Sequence, residues 1–333
     1  MVRNNLRFLQ VGLGSMGKRR IRNLLFHGIP KEHIFGFDPS TERTVEATEK
    51  YGVQTFTDLV EAEKQNPDVY IISTPPNRHL DYCVRAAEQK KHFFVEVGVD
   101  DQGYDKLASL LDGSFVAAPS CTLRYLPPVK KITELVAEAK IGKVLTFTYH
   151  LGQYLPDWHP WEDYRTIYFA QKETSACREM FVFELIWLTK VLNTQIKQVY
   201  GGFTGRISEL EMTADDLSAS VLGFENGVVG SMVIEVLART PFRTLRLIGT
   251  EGVLEWEWKA NQIRIFEKKT EAWKTIFLVE GKKEEGYVTT EDMYEEEIDV
   301  FLKAVEGQSL YPYTFAEDQK IIQALRILEK PYN

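Results

Sequence analysis

The chain has 333 residues, a length that suggests two domains, and 44% of them are hydrophobic and 26% are charged, as in ordinary globular proteins. Its formal net charge is −8. Nucleic acids and anionic membrane surfaces attract basic patches, so this charge argues against both as partners.

The three cysteines, Cys83, Cys121 and Cys177, have neither metal-ligand nor redox spacing, and their odd number argues against a disulfide framework. The histidines are scattered, and the sequence predicts no metal site. The first residues run directly into a strand pattern, which leaves no room for a signal peptide. No apolar run approaches the roughly 20 residues of a membrane span. We therefore expect a cytoplasmic protein with reduced thiols.

Short apolar runs alternate with helical patterns from Leu6 to about Pro119. The predicted strands are Leu6–Val11, His33–Phe37, Val69–Ser73, Phe93–Val97 and Phe115–Ala117. The predicted helices are Lys18–His27, Thr41–Tyr51, Thr57–Gln65, Arg78–Gln89 and Tyr104–Leu111. This α/β alternation predicts a parallel, doubly wound sheet in a first domain over residues 1–121.

The pattern changes after Cys121, and we predict a second, α+β domain over residues 122–333. Its predicted helices are Val129–Ala139, Ala176–Val191, Glu291–Val305 and Ala316–Glu329, of which the last two could pack back on the first domain. Its predicted strands are Val144–Gly152, Gln198–Arg206, Asp216–Phe224, Val228–Leu237, Phe242–Gly249, Val253–Trp258 and Gln262–Lys268. They indicate an open, largely antiparallel sheet. The stretch Tyr154–Thr174 lacks periodicity and is predicted to be a long loop, which in compact domains is usually functional.

The first predicted strand ends in the turn Gly12-Leu13-Gly14-Ser15-Met16-Gly17, which opens the first predicted helix. The first glycine permits the tight turn, the second lets the backbone approach a pyrophosphate, and the third lets helix and strand pack closely. The helix start then offers N–H groups and partial positive charge to phosphates. In this strand–turn–helix context the pattern predicts a nicotinamide dinucleotide site.

Asp38 ends the second predicted strand, where an acidic side chain accepts hydrogen bonds from the adenosine ribose hydroxyls and favours NAD over NADP. Asp38-Pro39-Ser40 is also good turn chemistry, so a purely local role stays open. Arg43 lies near the same edge and offers a partner to a 2′-phosphate, which leaves NADP use open. Lys18, Arg19, Arg20 and Arg22 on the first helix are interpreted as a solvated face.

An ordered set of motifs resembles the glucose–fructose oxidoreductase and inositol dehydrogenase (Gfo/Idh/MocA) family along nearly the whole chain. Besides the glycine turn, Thr74-Pro75-Pro76-Asn77-Arg78-His79 resembles the family's Thr-Pro-Pro-x-x-His, and Arg124-Tyr125-Leu126-Pro127 resembles its Arg-Phe-x-Pro. Ala214–Gly227 and Leu247–Gly252 resemble segments of its C-terminal sheet.

The resemblance implies reversible hydride transfer at a carbon of a sugar, polyol or related substrate, in which the protein orients and polarises what the cofactor reacts with. It adds Thr74, Pro75, Pro76, His79 and Glu96 to the expected cofactor contacts. A hydrogen bond at a helix start is the alternative for His79. The family often assembles through its C-terminal sheet, so we expect a homodimer or homotetramer.

Two departures from the family pattern concern proton transfer. The family's Glu-Lys-Pro appears here as Glu96-Val97-Gly98, and valine cannot move a proton. The family's Asp-x-x-x-His pair appears as Glu179 and Phe183. The roles of the missing lysine and histidine therefore cannot be transferred to this chain.

The loop Tyr154–Thr174, which is rich in aromatic and charged residues, and the predicted helix Ala176–Val191 offer side chains that could replace the missing lysine and histidine. We predict His159, Tyr164 and Glu179 as candidate proton carriers, because a positioned side chain must serve the substrate hydroxyl. Aromatic faces suit sugar C–H groups, and charged groups suit hydroxyl, carboxylate or phosphate partners. The predicted substrate contacts are Arg124, Trp158, Trp161, Asp163, Arg165 and Arg178.

Each of these assignments has an alternative. The loop could pack on the sheet or at an oligomer interface, where the same residue types are enriched. Arg178 and Glu179 could belong to a structural ion-pair network. The segment Asp157–Arg165 with Cys177-Arg178-Glu179 resembles a subgroup associated with surface-polysaccharide and acyl-sugar biosynthesis. A cofactor-binding sensor or assembly subunit without turnover is the rival to an enzyme.

Overall fold

The computed structural model describes residues 3–158, 162–279, 281–282 and 290–330. The chain forms two compact units, of which the first comprises Met1–Thr122 with Glu291–Gln319 and the second Leu123–Thr290 with Lys320–Asn333. The predicted break after Cys121 lies one residue from the first boundary. The second domain expected over 122–333 is interrupted, because Glu291–Gln319 belongs to the first unit.

A six-stranded parallel sheet forms the centre of the first unit. Its strands are β1 (Phe8–Val11), β2 (Ile34–Phe37), β3 (Gln54–Phe56), β4 (Val69–Ile72), β5 (His92–Val95) and β6 (Ala117–Pro119). Their order is β3-β2-β1-β4-β5-β6, so the connection changes direction beside β1. β1, β2 and β4 are buried at every residue, as expected for parallel strands covered on both faces.

Five helices connect these strands, and the α/β fold class is confirmed. They are α1 (Ser15–Phe26), α2 (Thr41–Tyr51), α3 (Leu59–Glu63), α4 (His79–Glu88) and α5 (Tyr104–Leu110). Ser40 caps α2 by accepting a hydrogen bond from Arg43 N–H, and Gly52 ends it in the left-handed conformation.

An eight-stranded sheet forms the second unit together with α6 (Pro127–Ala137) and α7 (Ala176–Val191). The strands are β7 (Val144–Tyr154), β8 (Ile196–Gly205), β9 (Leu217–Phe224), β10 (Val229–Glu235), β11 (Leu237–Gly249), β12 (Gly252–Glu257), β13 (Gln262–Glu267) and β14 (Ala272–Phe277). Their order is β14-β13-β12-β11-β7-β10-β9-β8. Among the described strands of this second sheet, only the pair of β7 and β10 is parallel, which confirms the predicted, largely antiparallel sheet.

One face of this sheet is buried beneath α7. Tyr149, Leu247 and Trp256 point to this face, and the Trp256 ring packs edge-on against Trp187 of α7 at 5.9 Å. Residues of the opposite parity, such as Thr148 and Arg246, are exposed. The alternation is that of an antiparallel sheet with one open face.

Two helices complete the chain, α8 (Asp292–Val305) and α9 (Phe315–Leu328). α8 packs on α1 in the first unit. Its Phe301 ring also lies 5.7 Å from the ring of Phe94 in β5.

β3 and β14 were not predicted. β3 has only three residues, and β14 is exposed at nearly every position and so lacks the alternation by which strands are recognised.

Within the described ranges, no helix combines the length and the apolar composition that a membrane crossing requires.

Candidate functional site

The glycine-rich turn joins β1 to α1 and has the shape that its sequence predicts. Gly12 has a φ of +88°, and a Cβ there would clash with the carbonyl of Ser73. A Cβ at Gly17 would clash with the carbonyl of Gly12. At Gly14 a Cβ would have only Arg43 Nη1 within reach, at 4.0 Å. Gly12 and Gly17 are therefore required by close packing, and Gly14 keeps the surface of the turn open for a ligand.

Gln10 of β1 stabilises this turn through hydrogen bonds to its backbone, a role that the sequence analysis did not predict. Its fully buried side chain donates from Nε2 to the carbonyls of Val11 and Gly12, at 3.3 and 3.1 Å. A glutamine inside an otherwise apolar strand was the signal that could have found it.

Asp38 is buried at the carboxyl end of β2 and is bonded to the same turn. One carboxylate oxygen accepts a hydrogen bond from Leu13 N–H at 2.9 Å, and the other accepts one from Ser40 N–H at 2.9 Å. Arg43 Nη1 lies 3.6 Å from the first of these oxygens. Each oxygen has a second lone pair, so the carboxylate keeps acceptor capacity beyond these two bonds.

The carboxyl ends of β4 and β5 carry a second polar group of residues. His79 begins α4, is buried, and donates from Nε2 to the carbonyl of Thr74 at 2.7 Å. Burial lowers the pKa of His79 to about 4, so the imidazole is neutral and its Nδ1 is an acceptor. The Glu96 carboxylate accepts hydrogen bonds from Ser73 Oγ at 3.2 Å and from the Arg20 guanidinium. Val97 beside it is 7% exposed.

The interpretation of the first helix as a solvated charge face was wrong for Arg19 and Arg20. Arg19 is 3% exposed and Arg20 is fully buried. Both are paired with carboxylates, Arg19 with Glu291 and Arg20 with Glu96 and Glu297. These partners lie 76 residues away for Glu96 and 272 and 277 residues away for Glu291 and Glu297, so they could not be read from the local pattern.

In the second unit, α7 carries two of the predicted site residues. Arg178 pairs with Glu329, with Nε 2.5 Å from Oε1, and also donates to the carbonyl of Glu173. This favours the structural alternative for Arg178. Glu179 and Phe183 are four residues apart on one helix face, and both side chains are partly exposed.

Asp163 and Arg165, two of the predicted loop residues, form an ion pair with each other. Arg165 Nη2 lies 2.7 Å from Asp163 Oδ2, and its Nη1 lies 2.9 Å from Glu211 Oε2. The Arg165 guanidinium lowers the pKa of Asp163. Tyr164 Oη accepts a hydrogen bond from Glu211 N–H at 3.0 Å, which leaves its own proton available for donation.

The remaining predicted substrate contacts are distributed between the loop and the short 3-10 helix Thr122–Tyr125 that precedes α6. Trp158 packs edge-on against Phe169 at 4.9 Å, as the packing alternative expects. Arg124 donates from Nε to the carbonyl of Ile186 in α7 at 3.2 Å. His159 and Trp161 lie outside the described residues. Within the described ranges no group of three or more His, Cys, Asp or Glu residues is arranged to hold a metal ion.

A buried charged group also lies between α7 and the sheet. Glu184 accepts hydrogen bonds from Arg243 Nη2, Tyr149 Oη and Trp187 Nε1, each at 2.6 Å. Burial alone would lower the pKa of Arg243, but Glu184 and Tyr149 raise it above its usual value. This group fixes α7 on the sheet, and sequence reasoning missed it because its members lie on three separate elements.

Comparison with known proteins identifies both parts of the chain. Residues 6–97 match the model of an oxidoreductase family with an NAD-binding Rossmann fold, and residues 129–255 match the GFO/IDH/MocA C-terminal domain. No curated protein matches the sequence significantly.

Solved structures share the fold over nearly the full length. A levoglucosan dehydrogenase in complex with NADH and levoglucosan is 18% identical with a TM-score of 0.79, over 97% of each chain. A UDP-N-acetylglucosamine 3-dehydrogenase from Acidithiobacillus ferrooxidans is 14% identical with a TM-score of 0.74, over 97% of this chain and 96% of that one. An oxidoreductase from Agrobacterium radiobacter, in complex with NAD+, L-tartaric acid and magnesium, is 11% identical with a TM-score of 0.84, over 97% and 95%.

Proposed function

Because this chain belongs to the Gfo/Idh/MocA oxidoreductase family, we propose that it transfers hydride between NAD(H) and a carbinol carbon of a sugar or sugar derivative, with acid–base residues that differ from the family's usual pair. The observation that carries the proposal is the glycine turn with Asp38 bonded to Leu13 N–H, which leaves an open, N–H-rich surface beside a ribose acceptor.

NAD, when bound, supplies the hydride acceptor, and the protein binds and orients it. The turn Gly12–Gly17 would hold the pyrophosphate, and Asp38 with Arg43 would meet the adenosine ribose. The residues proposed for the other half of the cofactor are Thr74, Pro75, Pro76, His79 and Glu96. A neutral His79 adds an acceptor without adding positive charge beside Glu96.

The substrate class is a sugar or nucleotide-linked sugar. The names of two solved neighbours, a levoglucosan dehydrogenase and a UDP-N-acetylglucosamine 3-dehydrogenase, support this class. The resemblance of Asp157–Arg165 to the polysaccharide and acyl-sugar subgroup supports a nucleotide-linked or acidic sugar within it. Arg124, Trp158, Trp161, Asp163, Arg165 and Arg178 are the proposed substrate contacts, of which Arg178 has the weakest case because it already pairs with Glu329.

The proposal is tested by turnover. Purified protein with NAD+ or NADH is offered a panel of free, acidic and nucleotide-linked sugars and the corresponding ketoses, and the NADH absorbance is followed. Turnover with any member supports the enzyme. Tight NADH binding without turnover on any member of the panel would instead favour a sensor or assembly subunit. The buried, apolar Val97 beside Glu96 also favours this alternative.

The proton carrier is proposed to be Glu179, Tyr164 or His159, one of which should lie within about 5 Å of the nicotinamide C4 in a cofactor complex. Single substitutions, Glu179→Gln, Tyr164→Phe and His159→Asn, should identify it by a loss of kcat of about 10²–10⁴-fold. The exposed carboxylate Glu173 offers a control, and Glu173→Gln should leave kcat nearly unchanged. If a complex places only Val97, Phe183 and other apolar groups at C4, the enzyme proposal fails.

The loop is tested separately with Trp161→Ala. If Trp161 stacks on a sugar face, the variant should raise the substrate KM by about tenfold while the NADH affinity stays the same. Trp273→Ala removes an exposed tryptophan from β14 and serves as the control. A change of the elution volume on a sizing column, without a change of KM, would support the oligomer-interface alternative.

A further inference from the structure

Arg20 of α1 is a buried arginine to which the proposed function gives no role. Its Nε and Nη2 donate to the two oxygens of Glu96, at 2.7 and 3.0 Å, which is the side-on fork that fixes a carboxylate in one plane. The guanidinium also lies over the Phe94 ring, with Cζ 4.6 Å from the ring centre. Both contacts constrain the direction of the fork.

Glu297 of α8 holds Arg20 from the other side. Its Oε2 accepts Arg20 Nη2 at 2.9 Å, and the same carboxylate accepts Cys121 N–H at 2.6 Å and Ser120 Oγ at 3.1 Å. Glu297 is fully buried, and burial raises its pKa although Arg20 opposes the rise. One arginine is thus shared by two carboxylates, one of them enclosed and the other partly open.

The open carboxylate is Glu96, whose side chain is 15% exposed while those of Arg20 and Glu297 are 0% exposed. Glu96 follows β5 directly, and Ser73, its other partner, follows β4. In doubly wound sheets a dinucleotide lies across the carboxyl ends of the strands, with one nucleotide on each side of the point where the strand order reverses. Asp38 follows β2 on the adenosine side, so β4 and β5 carry the nicotinamide side.

We propose that Arg20 is a positioning residue that fixes the Glu96 carboxylate as an acceptor for the nicotinamide riboside half of the cofactor, and that Glu297 fixes Arg20 in turn. The donors on that half are the carboxamide N–H₂ and the ribose hydroxyls, and a carboxylate held in one plane accepts them without losing further side-chain freedom on binding. This rests on the proposed contact of Glu96 with the cofactor.

The test compares NADH with ADP, which keeps the adenosine and the pyrophosphate but lacks the nicotinamide riboside. NADH is titrated by its fluorescence, and ADP is measured by its displacement of NADH. Arg20→Lys keeps the charge and removes the fork. We expect it to raise the Kd of NADH about tenfold and to leave the Kd of ADP within about twofold.

Arg19 provides the matched control on the same helix. It is equally buried, pairs with Glu291 at 2.9 Å and lies over the Tyr294 ring, so it fixes α1 to the α8 region without touching Glu96. Arg19→Lys should change neither Kd selectively. In the double variant Arg20→Lys/Glu96→Gln, the second substitution should add little to either single one, because both act on the same contact.

Equal weakening of NADH and ADP by Arg20→Lys, or the same selective loss in Arg19→Lys, would show that Arg20 is only structural. Additive losses in the double variant would also overturn the proposal. If Arg20→Lys does not fold, Glu297→Gln is the second variant, because it weakens the contact that fixes Arg20. It should raise the Kd of NADH about threefold and leave the Kd of ADP unchanged.

These readouts are binding constants. The absence of turnover, which would defeat the proposed function, therefore leaves this test intact. A selective loss in Glu96→Gln without one in Arg20→Lys would refute the positioning role and keep the cofactor contact.

Discussion

At the carboxyl end of β2, the Asp38 carboxylate takes part in the turn and faces the proposed adenosine ribose site. Its bonds to Leu13 N–H and Ser40 N–H fix its position, and its negative charge would repel a 2′-phosphate. Arg43, which is more than half exposed, counteracts that repulsion only in part because solvent screens it. At the residue scale, we therefore predict that the choice between NAD and NADP depends on one buried carboxylate and one exposed guanidinium.

We expect the protein to bind NADH more tightly than NADPH, and Asp38→Ala to narrow the difference. Removing the carboxylate loses the ribose acceptor and also the repulsion of the 2′-phosphate, so the Kd of NADH should rise while that of NADPH falls or stays the same. Fluorescence titration of both cofactors measures this. Asp58→Ala, which removes the carboxylate that caps α3 through Glu61 N–H, should leave the ratio unchanged. Equal or reversed affinities in the unmodified protein would contradict the assignment.

At the scale of elements, α7 is held on the sheet by a buried charge rather than by apolar contacts alone. Arg243→Met should destabilise the protein by about 3–5 kcal/mol, because Glu184 is then left buried without its counter-charge. Chemical denaturation measures the change in the free energy of unfolding. Arg246→Met, on the same strand β11 but in an exposed pair with Glu255, should cost less than about 1 kcal/mol.

The double variant Arg243→Met/Glu184→Leu removes both charges and should recover part of the lost stability. If Arg243→Met lowers the free energy of unfolding no more than Arg246→Met does, water must reach Glu184.

The loop before α7 contributes little to the free energy of unfolding through its ion pair of Asp163 and Arg165, because that pair is exposed. Substitutions in the loop should therefore affect ligand binding more than unfolding.

At the scale of the whole molecule, the open face of the second sheet carries aligned rows of side chains. Val229, Thr146, Ile248 and Val253 lie side by side across four strands, and the register places Ser231, Thr148, Arg246, Glu255 and Arg264 in the next row. An apolar row beside a row of mixed charge is a surface suited to a second copy of itself. Assembly through this sheet stays a prediction.

Ile248→Arg should shift the protein to a smaller species in sedimentation velocity, because it places a charge in the centre of the apolar row. Leu310→Arg is the control, since Leu310 is 93% exposed in the first unit and lies outside the sheet. A monomeric unmodified protein, or dissociation by both variants, would refute assembly through the open face.

The candidate site divides into parts that local pattern could find and parts that it could not. The glycine turn and Asp38 could be proposed from the sequence because each occupies a position defined by its neighbours, at the end of a strand or the start of a helix. His79 was proposed through the family resemblance, and the roles of all three stay predictions. Arg20, Glu297 and Gln10 were missed because their roles depend on burial. For Arg178 the sequence left both a substrate contact and a structural ion pair open, but it could not identify the partner, Glu329, which lies 151 residues away.

The sequence by itself determined the alternation of strands and helices, the parallel first sheet and the dinucleotide turn, because side-chain periodicity and the special backbone freedom of glycine act over a few residues. Only the tertiary structure decided which charges are buried and with which partners. The return of Glu291–Gln319 to the first unit brings Glu291 and Glu297 to the arginines of α1 and turns an expected solvated face into a buried ion-pair network. A buried charge is tolerated only where a counter-charge meets it, and that meeting is set by the fold rather than by the neighbouring residues.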